Sequence, residues 1–290
     1  GGLLSGAFVN IIEVAVILAG FLIALPFVLN FSGGLEGIKA SAPNDKYFDF
    51  FGMGSTAIIG YIVMLVPSFF ISPGLIGKVF AARDERAVKI GTALNGLVQL
   101  FFAIIPVIIG MAACAGFPDL ARADLALPEA MKNMMPFLAA SMALAAIFAA
   151  EISTADTVLY MLAGSVANDI CKRFFCPEIS DKNLLRLSRL VTIICGVLGV
   201  ILALRLESII SALTVFYSLM SVSLSAPLVF GLFSKRASNA GAVISALAGV
   251  FLTLFIIFYK NSVIDFGFIK LNAPTCGIIF SFFVMLLSLI

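Results

Sequence analysis

Long apolar stretches alternate along the whole chain with short polar loops that carry charge. An apolar stretch of about 20 residues crosses the hydrocarbon core of a bilayer as an α-helix. The stretches are continuously apolar and do not alternate at every second residue, which argues against a transmembrane barrel. The pattern predicts an all-α, polytopic membrane protein with eight transmembrane helices, near residues 7–30, 51–78, 91–115, 135–168, 189–206, 208–233, 240–259 and 273–290.

Composition supports the same class, because 62% of the residues are hydrophobic and only 12% are charged, against about 25% charged in soluble domains. Eleven of the 18 Lys and Arg residues fall in the loops 78–89, 172–189 and 235–236. Short basic loops face the cytoplasm, so we expect a multi-pass protein of the inner or plasma membrane. A net charge of +2 without a dense basic run indicates no nucleic-acid partner.

Catalytic chemistry is restricted by the absence of His from the whole sequence. Without His there is no Ser-His-Asp or Cys-His arrangement and no HExxH motif. Cys171 and Cys176, in a predicted cytoplasmic loop, also lack the His that would complete a zinc site. The sequence contains no Walker A loop either. We therefore expect no enzymatic activity.

A polar stripe lies within the fourth apolar segment. Helical spacing puts positions i, i+3, i+4 and i+7 on one face, and these positions are Ser153, Asp156, Thr157 and Tyr160, with Thr154 at the edge. Hydroxyls and carboxylates without partners are costly in hydrocarbon. The stripe must therefore face other helices, a water-filled cavity or a bound ion.

Two carboxylates flank this Ser-Thr pair, and each costs about 2.5–3.5 kcal/mol at a bilayer centre unless it is paired, protonated or hydrated. Asp156 shares the face of Ser153 and either attracts an ion or holds a neighbouring helix. Glu151 has two open interpretations. It forms a structural pair with a helix outside this sequence, or it provides a second cation or proton site.

The second apolar segment contains helix-breaking residues at two points, Pro67 and the run Ser72-Pro73-Gly74. Broken helices expose backbone groups that hold a solute. Ser68, Phe69 and Ser72 are the side chains expected to face such a cavity. The alternative is a proline kink that only shapes packing.

Several stretches, taken in order, resemble the sodium:solute symporter family. Residues 149–170, AAEISTADTVLYMLAGSVANDI, resemble the helix of this family that carries a Ser-Ser or Ser-Thr pair. Residues 73–91, PGLIGKVFAARDERAVKIG, resemble the family's loop after a proline-containing helix. Between residues 188 and 249, SRLVTIICGVLGV and APLVFGLFSKRASNAGAVISALAG resemble the later helices of the family. The start of the chain, GGLLSGAFVNIIEVAVIL, resembles the family's Gly-Gly-Leu helix start.

The resemblance implies a LeuT-type fold, in which two inverted five-helix repeats form ion and solute sites at the membrane midplane. Aligned in this way, the chain starts at the last helix of the first repeat, contains the second repeat and continues into two peripheral helices. The sequence starts without Met and ends within an apolar segment. We therefore expect residues 1–290 to be one transmembrane transporter domain, truncated at both ends and lacking the N-terminal core helices.

The implied activity is sodium-coupled symport of a small organic solute by alternating access. The resemblance assigns the sodium ligands to the carbonyl of Ala150 and the hydroxyls of Ser153 and Thr154, with Asp156 beside them. The remaining ligands would come from a helix that this sequence does not contain. From the residues alone, the alternative is that Ser153 and Thr154 bond back to carbonyls of their own helix; the resemblance favours the ion site.

The chain departs from the family pattern in its first helix. Where the family commonly has Trp-Thr-Asp followed by Gln, this chain has Phe8-Val9-Asn10 and Glu13. An amide replaces a carboxylate at Asn10, and Glu13 restores one charge about a turn away. Either Glu13 takes part in ion coupling together with Asn10 and Glu151, or it extends its carboxylate to the membrane interface.

Two other functions remain open at this point. Similar domains also occur fused to signalling kinases, which would make the chain a sensor, and protons acting through Glu151 would make it a proton-coupled symporter. The solute itself is not indicated, because Ser72 and Lys78 stand where family members often have Gln and Arg.

Overall fold

A computed structural model of the chain describes residues 3–42, 45–120, 122–205, 208–259, 263–265 and 270–289. The described residues are almost entirely helical. The α-helices α1 to α12 are Leu3–Phe31, Gly34–Ala40, Ser55–Ile71, Pro73–Phe80, Glu85–Phe102, Ile104–Gly116, Ala126–Asn133, Phe137–Gly164, Asp181–Ala203, Ile209–Phe233, Asn239–Tyr259 and Ala273–Leu287. Short 3-10 turns occupy Asp45–Phe48 and Ala123–Leu125, and a π-helical segment, Ser165–Phe175, continues α8.

Seven of the eight predicted segments form helices that could span a membrane. Within the described ranges, seven helical stretches are long and apolar enough to cross a bilayer, namely Ser5–Phe31, Ser55–Phe80, Glu85–Gly116, Phe137–Phe175, Asp181–Ala203, Ile209–Phe233 and Asn239–Tyr259. The eighth segment forms the shorter apolar helix α12, of 15 residues. The predicted all-α class is confirmed. Gly1, Gly2 and Ile290, which bear on the expected truncations, lie outside the described residues.

The structure differs from the predicted helices in three places. The third segment is divided at Ala103, because the ring of Pro106 clashes with the carbonyl of the residue four positions earlier. The fourth segment continues as a helix to Phe175, so Cys171, expected in a loop, lies in its π-helical end. A short antiparallel pair, β1 (Val263–Asp265) and β2 (Lys270–Asn272), precedes α12 and was not predicted.

The chain forms two compact units. The first unit comprises Gly1–Asp45 and Ala82–Glu207, and the second comprises Lys46–Ala81 and Ser208–Ile290. In the first unit α1 lies along α8, and α6 and α7 pack beside them. Its apolar core includes Phe21, Val28, Ile109, Met131 and Ala143.

In the second unit, α10 packs against α3, α11 and α12, and α11 lies along α12. The residues of α10 that face inward are small, and they are Ser218, Ser221, Val222, Ser225 and Ala226. Small residues let helix backbones approach closely in membranes. The second unit therefore has a seam of hydroxyl groups at its centre.

The antiparallel pairing of α1 and α8 depends on Gly20. A Cβ at this position would clash with the Cβ of Ala146 and would lie 2.8 Å from the carbonyl oxygen of Met142. Any side chain at position 20 would thus push the two helices apart. Close approach here holds the polar residues nearer the start of α1 against α8.

We predict that Gly20→Ala destabilises the protein by about 1–3 kcal/mol, the usual cost of overpacking a close contact. The measurement is the thermal midpoint of detergent-purified protein, followed by size-exclusion chromatography. Gly91→Ala on α5 is the control, because a Cβ there meets nothing within 4 Å. Equal midpoints for the two variants would show that the α1–α8 contact is not tight.

Candidate ion and solute sites

Hydroxyl groups on α8 engage both their own helix and α1. The Oγ1 of Thr154 donates to the carbonyl of Ala150 at 3.0 Å, and the Oγ1 of Thr157 donates to the carbonyl of Ser153 at 2.9 Å. The Oγ of Ser153 instead donates to Oδ1 of Asn10, at 3.2 Å. The structure thus brings together Asn10 and Ser153, two predicted site residues 143 positions apart in sequence.

These bonds separate the two interpretations of the Ser-Thr pair. Thr154 makes the local bond to its own helix that the structural alternative expects, whereas Ser153 reaches across to α1. A hydroxyl that donates one bond keeps lone pairs for a cation. Ser153 is half-buried and Thr154 is exposed.

The oxygens of Ala150 and Thr154 lie side by side, 3.0 Å apart, with the Ser153 hydroxyl on the next residue. Hard cations prefer several oxygen ligands, and neutral hydroxyl and carbonyl oxygens can replace their hydration shell. The residues present therefore fit a sodium ion, as one side of its coordination shell.

The three carboxylates near this region differ in exposure. Glu151 and Asp156 are exposed, and a Cβ on Gly6 of α1 would lie 3.9 Å from Oδ2 of Asp156. Glu13 is buried, with 8% of its surface exposed, and its Oε2 has no hydrogen-bond partner among the described residues. Glu13 thus does not have the exposure expected of a carboxylate that extends to the interface.

The break in the second segment lies between α3 and α4, at Ser72. Its φ and ψ of −54° and 119° are extended, as expected of a residue that precedes proline. Pro73 then starts α4 at the position where its missing N–H costs nothing. The last turn of α3 is left with carbonyls that have no partner further along the same helix.

The three predicted solute residues differ in accessibility. Ser68 is fully buried and donates to the carbonyl of Leu65 at 2.7 Å, so its hydroxyl is engaged within α3. Ser72 is half-buried at the break. Phe69 is 53% exposed and stacks on Tyr217 of α10, with ring centroids 6.4 Å apart. Phe69 is therefore the most accessible of the three.

A contact that was not predicted from the sequence involves Pro67. Proline has no N–H, so the carbonyl of Val63, four residues earlier, loses its helical donor. The Oγ of Ser221 on α10 lies 3.5 Å from this carbonyl oxygen and donates to it. The predicted interruption at Pro67 is thus compensated by a neighbouring helix, and α3 continues through it. The spacing of Pro67 and Val63 is a signal in the sequence that could have identified the freed carbonyl, but not its partner.

Together, the apolar helices, the broken helix and the oxygen-lined face are characteristic of a membrane transporter. A family model described as "SSF: Sodium:solute symporter family" matches residues 1–249. The chain belongs to the sodium:solute symporter family.

Known relatives differ in the solutes they are named for. A sodium/glucose cotransporter of Vibrio parahaemolyticus is 23% identical over 299 residues, which cover 90% of this chain and 55% of that protein. A sodium/proline symporter of Haemophilus influenzae is 26% identical over 268 residues, covering 86% of this chain and 52% of that protein. The chain therefore spans about half the length of these curated relatives.

The fold is also similar to a solved structure, the substrate-bound, outward-open state of a Na⁺-coupled sialic acid symporter. The TM-score is 0.80 with 18% sequence identity, over 100% of this chain and 62% of that one. This similarity extends the family assignment to the LeuT-type fold that the sequence predicted.

We predict that Ser221→Ala destabilises the protein by about 1 kcal/mol, because the carbonyl of Val63 loses its donor. The control is Ser223→Ala, whose hydroxyl donates within its own helix, to the carbonyl of Met220 at 3.2 Å. Thermal midpoints of the purified variants provide the measurement.

A double-mutant cycle makes this test specific. In a Pro67→Ala background the N–H of residue 67 can bond to Val63, so Ser221→Ala should cost markedly less there. The same loss in both backgrounds would contradict the assigned bond.

Proposed function

We propose that this chain is part of a sodium-coupled symporter that moves a small organic solute across the cell membrane by alternating access. The observation that carries the proposal is the pair of oxygens on α8, the Ala150 carbonyl and the Thr154 hydroxyl, which lie 3.0 Å apart beside Ser153, whose own hydroxyl bonds to Asn10. Membership of the sodium:solute symporter family supports it. The role is transport, and the residues described perform no catalysis.

The Ala150 carbonyl and the hydroxyls of Ser153 and Thr154 are the proposed sodium ligands. When bound, sodium couples its electrochemical gradient across the membrane to the uptake of solute. The chain's own contribution is to position the oxygens. The bond from Ser153 to Asn10 ties the ligand-bearing turn of α8 to α1.

Asp156, exposed on the same face, adds negative charge beside the site without a direct ligand role. Glu151 and Asn10 remain candidates for coupling.

The ligands named supply only part of a coordination shell. We propose that residues 1–290 form a single transporter domain with further helices of the same protein, and that those helices complete the ion site. This proposal is supported by coverage, because the chain spans about half the length of these relatives.

For the solute, we propose a site at the break between α3 and α4. The exposed ring of Phe69 offers an apolar face, and Ser72 together with the last-turn carbonyls of α3 offers polar groups. Ser68, which is buried and bonded to Leu65, would shape the turn beneath them. Relatives named for glucose and proline share the family, so the class of solute is a small organic molecule.

We predict that Ser153→Ala combined with Thr154→Ala raises the sodium concentration needed for half-maximal uptake by about tenfold or more, because two ligands are lost. Uptake is measured in proteoliposomes that contain the full-length protein. A matched control replaces Ser188 and Thr192 of α9, whose hydroxyls also donate to carbonyls four residues earlier. Unchanged sodium dependence in the α8 double variant would contradict the proposed ion site.

Two further arms of this experiment test the other functions. Solute uptake that persists without sodium at a fixed pH gradient would favour proton coupling through Glu151. Absence of uptake under any gradient, with solute binding retained, would favour a sensor.

We predict that Phe69→Ala raises the KM for solute by about tenfold while the sodium requirement changes little, because stacking area is lost at the solute site and not at the ion site. Phe70→Ala is the control. The Phe70 side chain is also exposed, at 69%, but it points from a different face of α3. Equal effects of the two substitutions would argue against a solute contact at Phe69.

A further inference from the structure

The membrane-spanning helix α9 carries three cations on one side. Lys182, Arg186 and Arg189 are spaced at i, i+4 and i+7, which places them on one face of the helix. All three are exposed. The same face continues along the helix with exposed apolar residues, which are Ile193, Val197 and Val200. Together these six residues form the α9 stripe.

The α9 stripe points away from the helix that supports α9. The buried residue of α9 is Val191, and it lies on the opposite side of the helix from Lys182 and Val200, because nine residues make about two and a half turns. The half-buried Leu187 and Cys195 are on the side of Val191. Since α9 packs against α8, the stripe is on the outer surface of this helix pair.

The apolar part of α9 is short for a bilayer. Residues 190–204, between Arg189 and Arg205, contain no charged residue, and 15 residues of helix span about 22 Å. The hydrocarbon core is about 30 Å thick, so the backbones of the two arginines cannot both lie outside it. A long cationic side chain at such a position extends its charged end to the level of the lipid headgroups.

The cations of the stripe have no fixed carboxylate. Within the described ranges no ion pair includes Lys182, Arg186 or Arg189. Asp181 is the acidic residue of α9, and it lies to one side of the stripe, about a quarter turn from Lys182. Guanidinium groups bind phosphate through pairs of parallel N–H bonds. The stripe therefore fits a phosphate at the membrane surface.

One kind of molecule fits both halves of the stripe. A phospholipid has its phosphate at the depth that Arg186 and Arg189 reach, and its acyl chains run alongside apolar residues such as Ile193. The basic loops at this end of α8 and α9 indicate the cytoplasmic side, where anionic lipids make the membrane surface negative. A protein helix in the same place would have to supply carboxylates at three levels or bury three unpaired cations.

We propose that the α9 stripe binds an anionic phospholipid of the cytoplasmic leaflet. Arg186 and Arg189 hold its phosphate, and Lys182 contacts the outer part of its headgroup. The apolar half of the stripe lies along its acyl chain. Because α9 packs against α8, the lipid supports the helix that carries Ser153 and Thr154.

The test measures lipid binding by the full-length protein in a neutral detergent. Saturating phosphatidylglycerol should raise the thermal midpoint by about 3 °C or more, as a ligand that binds only the folded state does. Phosphatidylcholine with the same acyl chains should raise it markedly less, and inorganic phosphate should leave it unchanged. Equal shifts with the two lipids, or an equal shift with inorganic phosphate, would overturn the proposal.

Two triple variants test the location of the site. Lys182→Gln, Arg186→Gln and Arg189→Gln combined should abolish the preference for phosphatidylglycerol. The matched control, Arg83→Gln, Arg86→Gln and Lys89→Gln combined, removes the same charge from another basic loop, where two of the cations already have carboxylate partners. Equal loss of the preference in both variants would show a general attraction to basic loops and would contradict a site on α9.

Single variants keep the proposal falsifiable if the α9 triple variant folds poorly. In native mass spectrometry, wild type and Arg86→Gln should retain phosphatidylglycerol at a collision energy that removes it from Arg189→Gln. Retention by Arg189→Gln equal to that of wild type would count against the proposal. So would a wild-type dimer, detected by light scattering, that Arg189→Gln dissociates, because a second copy would then cover the stripe.

These readouts do not involve uptake. Their outcome is therefore independent of the sodium-coupled function proposed above, and either proposal can fail while the other stands.

Discussion

Inside a bilayer, a polar group on a helix has no water to bond with, so its partner must come from the same helix or from a neighbour that approaches closely. The first unit meets this requirement through the pairing of α1 and α8. Gly20 allows the backbones to come together, and the same approach brings Asn10 within 3.2 Å of Ser153. A steric feature near the middle of α1 therefore fixes an electrostatic feature about ten residues away.

The second unit meets the same requirement with serine hydroxyls. Ser218 and Ser225 of α10 donate to carbonyls of their own helix, while Ser221 also serves the carbonyl that Pro67 frees on α3. A hydroxyl is well suited to this work, because it can donate while adding little bulk to the helix contact. At Ser72 the helical ladder ends instead. The Ser72 N–H donates to the carbonyl of Phe69 at 3.4 Å, and the carbonyls of the last turn have no donor further along α3.

Much of the architecture followed from apolar run length. All eight predicted segments are helical, since a run of about 20 apolar residues has few alternatives in lipid. The division at Ala103 follows from Pro106, a signal that was present in the sequence. Side-chain directions were harder to predict. Ser68 and Phe69 are adjacent, yet one is buried and the other exposed, because the position of α10 decides which face of α3 is covered.

The site was predictable in its residue types and not in its connections. Helical spacing grouped Ser153 with Asp156, but the bond from Ser153 to Asn10 depends on the register between two helices that are distant in sequence. Glu13 shows the same limit. A glutamate in the second turn of a membrane helix can extend to the interface or turn inward, and only the packing of α1 against α8 selects the buried arrangement.

The burial of Glu13 has an electrical consequence. An ionised carboxylate on α1 moves with that helix through the transmembrane field. A membrane potential does work of about 2.3 kcal/mol per elementary charge per 100 mV. A conformational step that shifts α1 along the membrane normal is therefore sensitive to voltage.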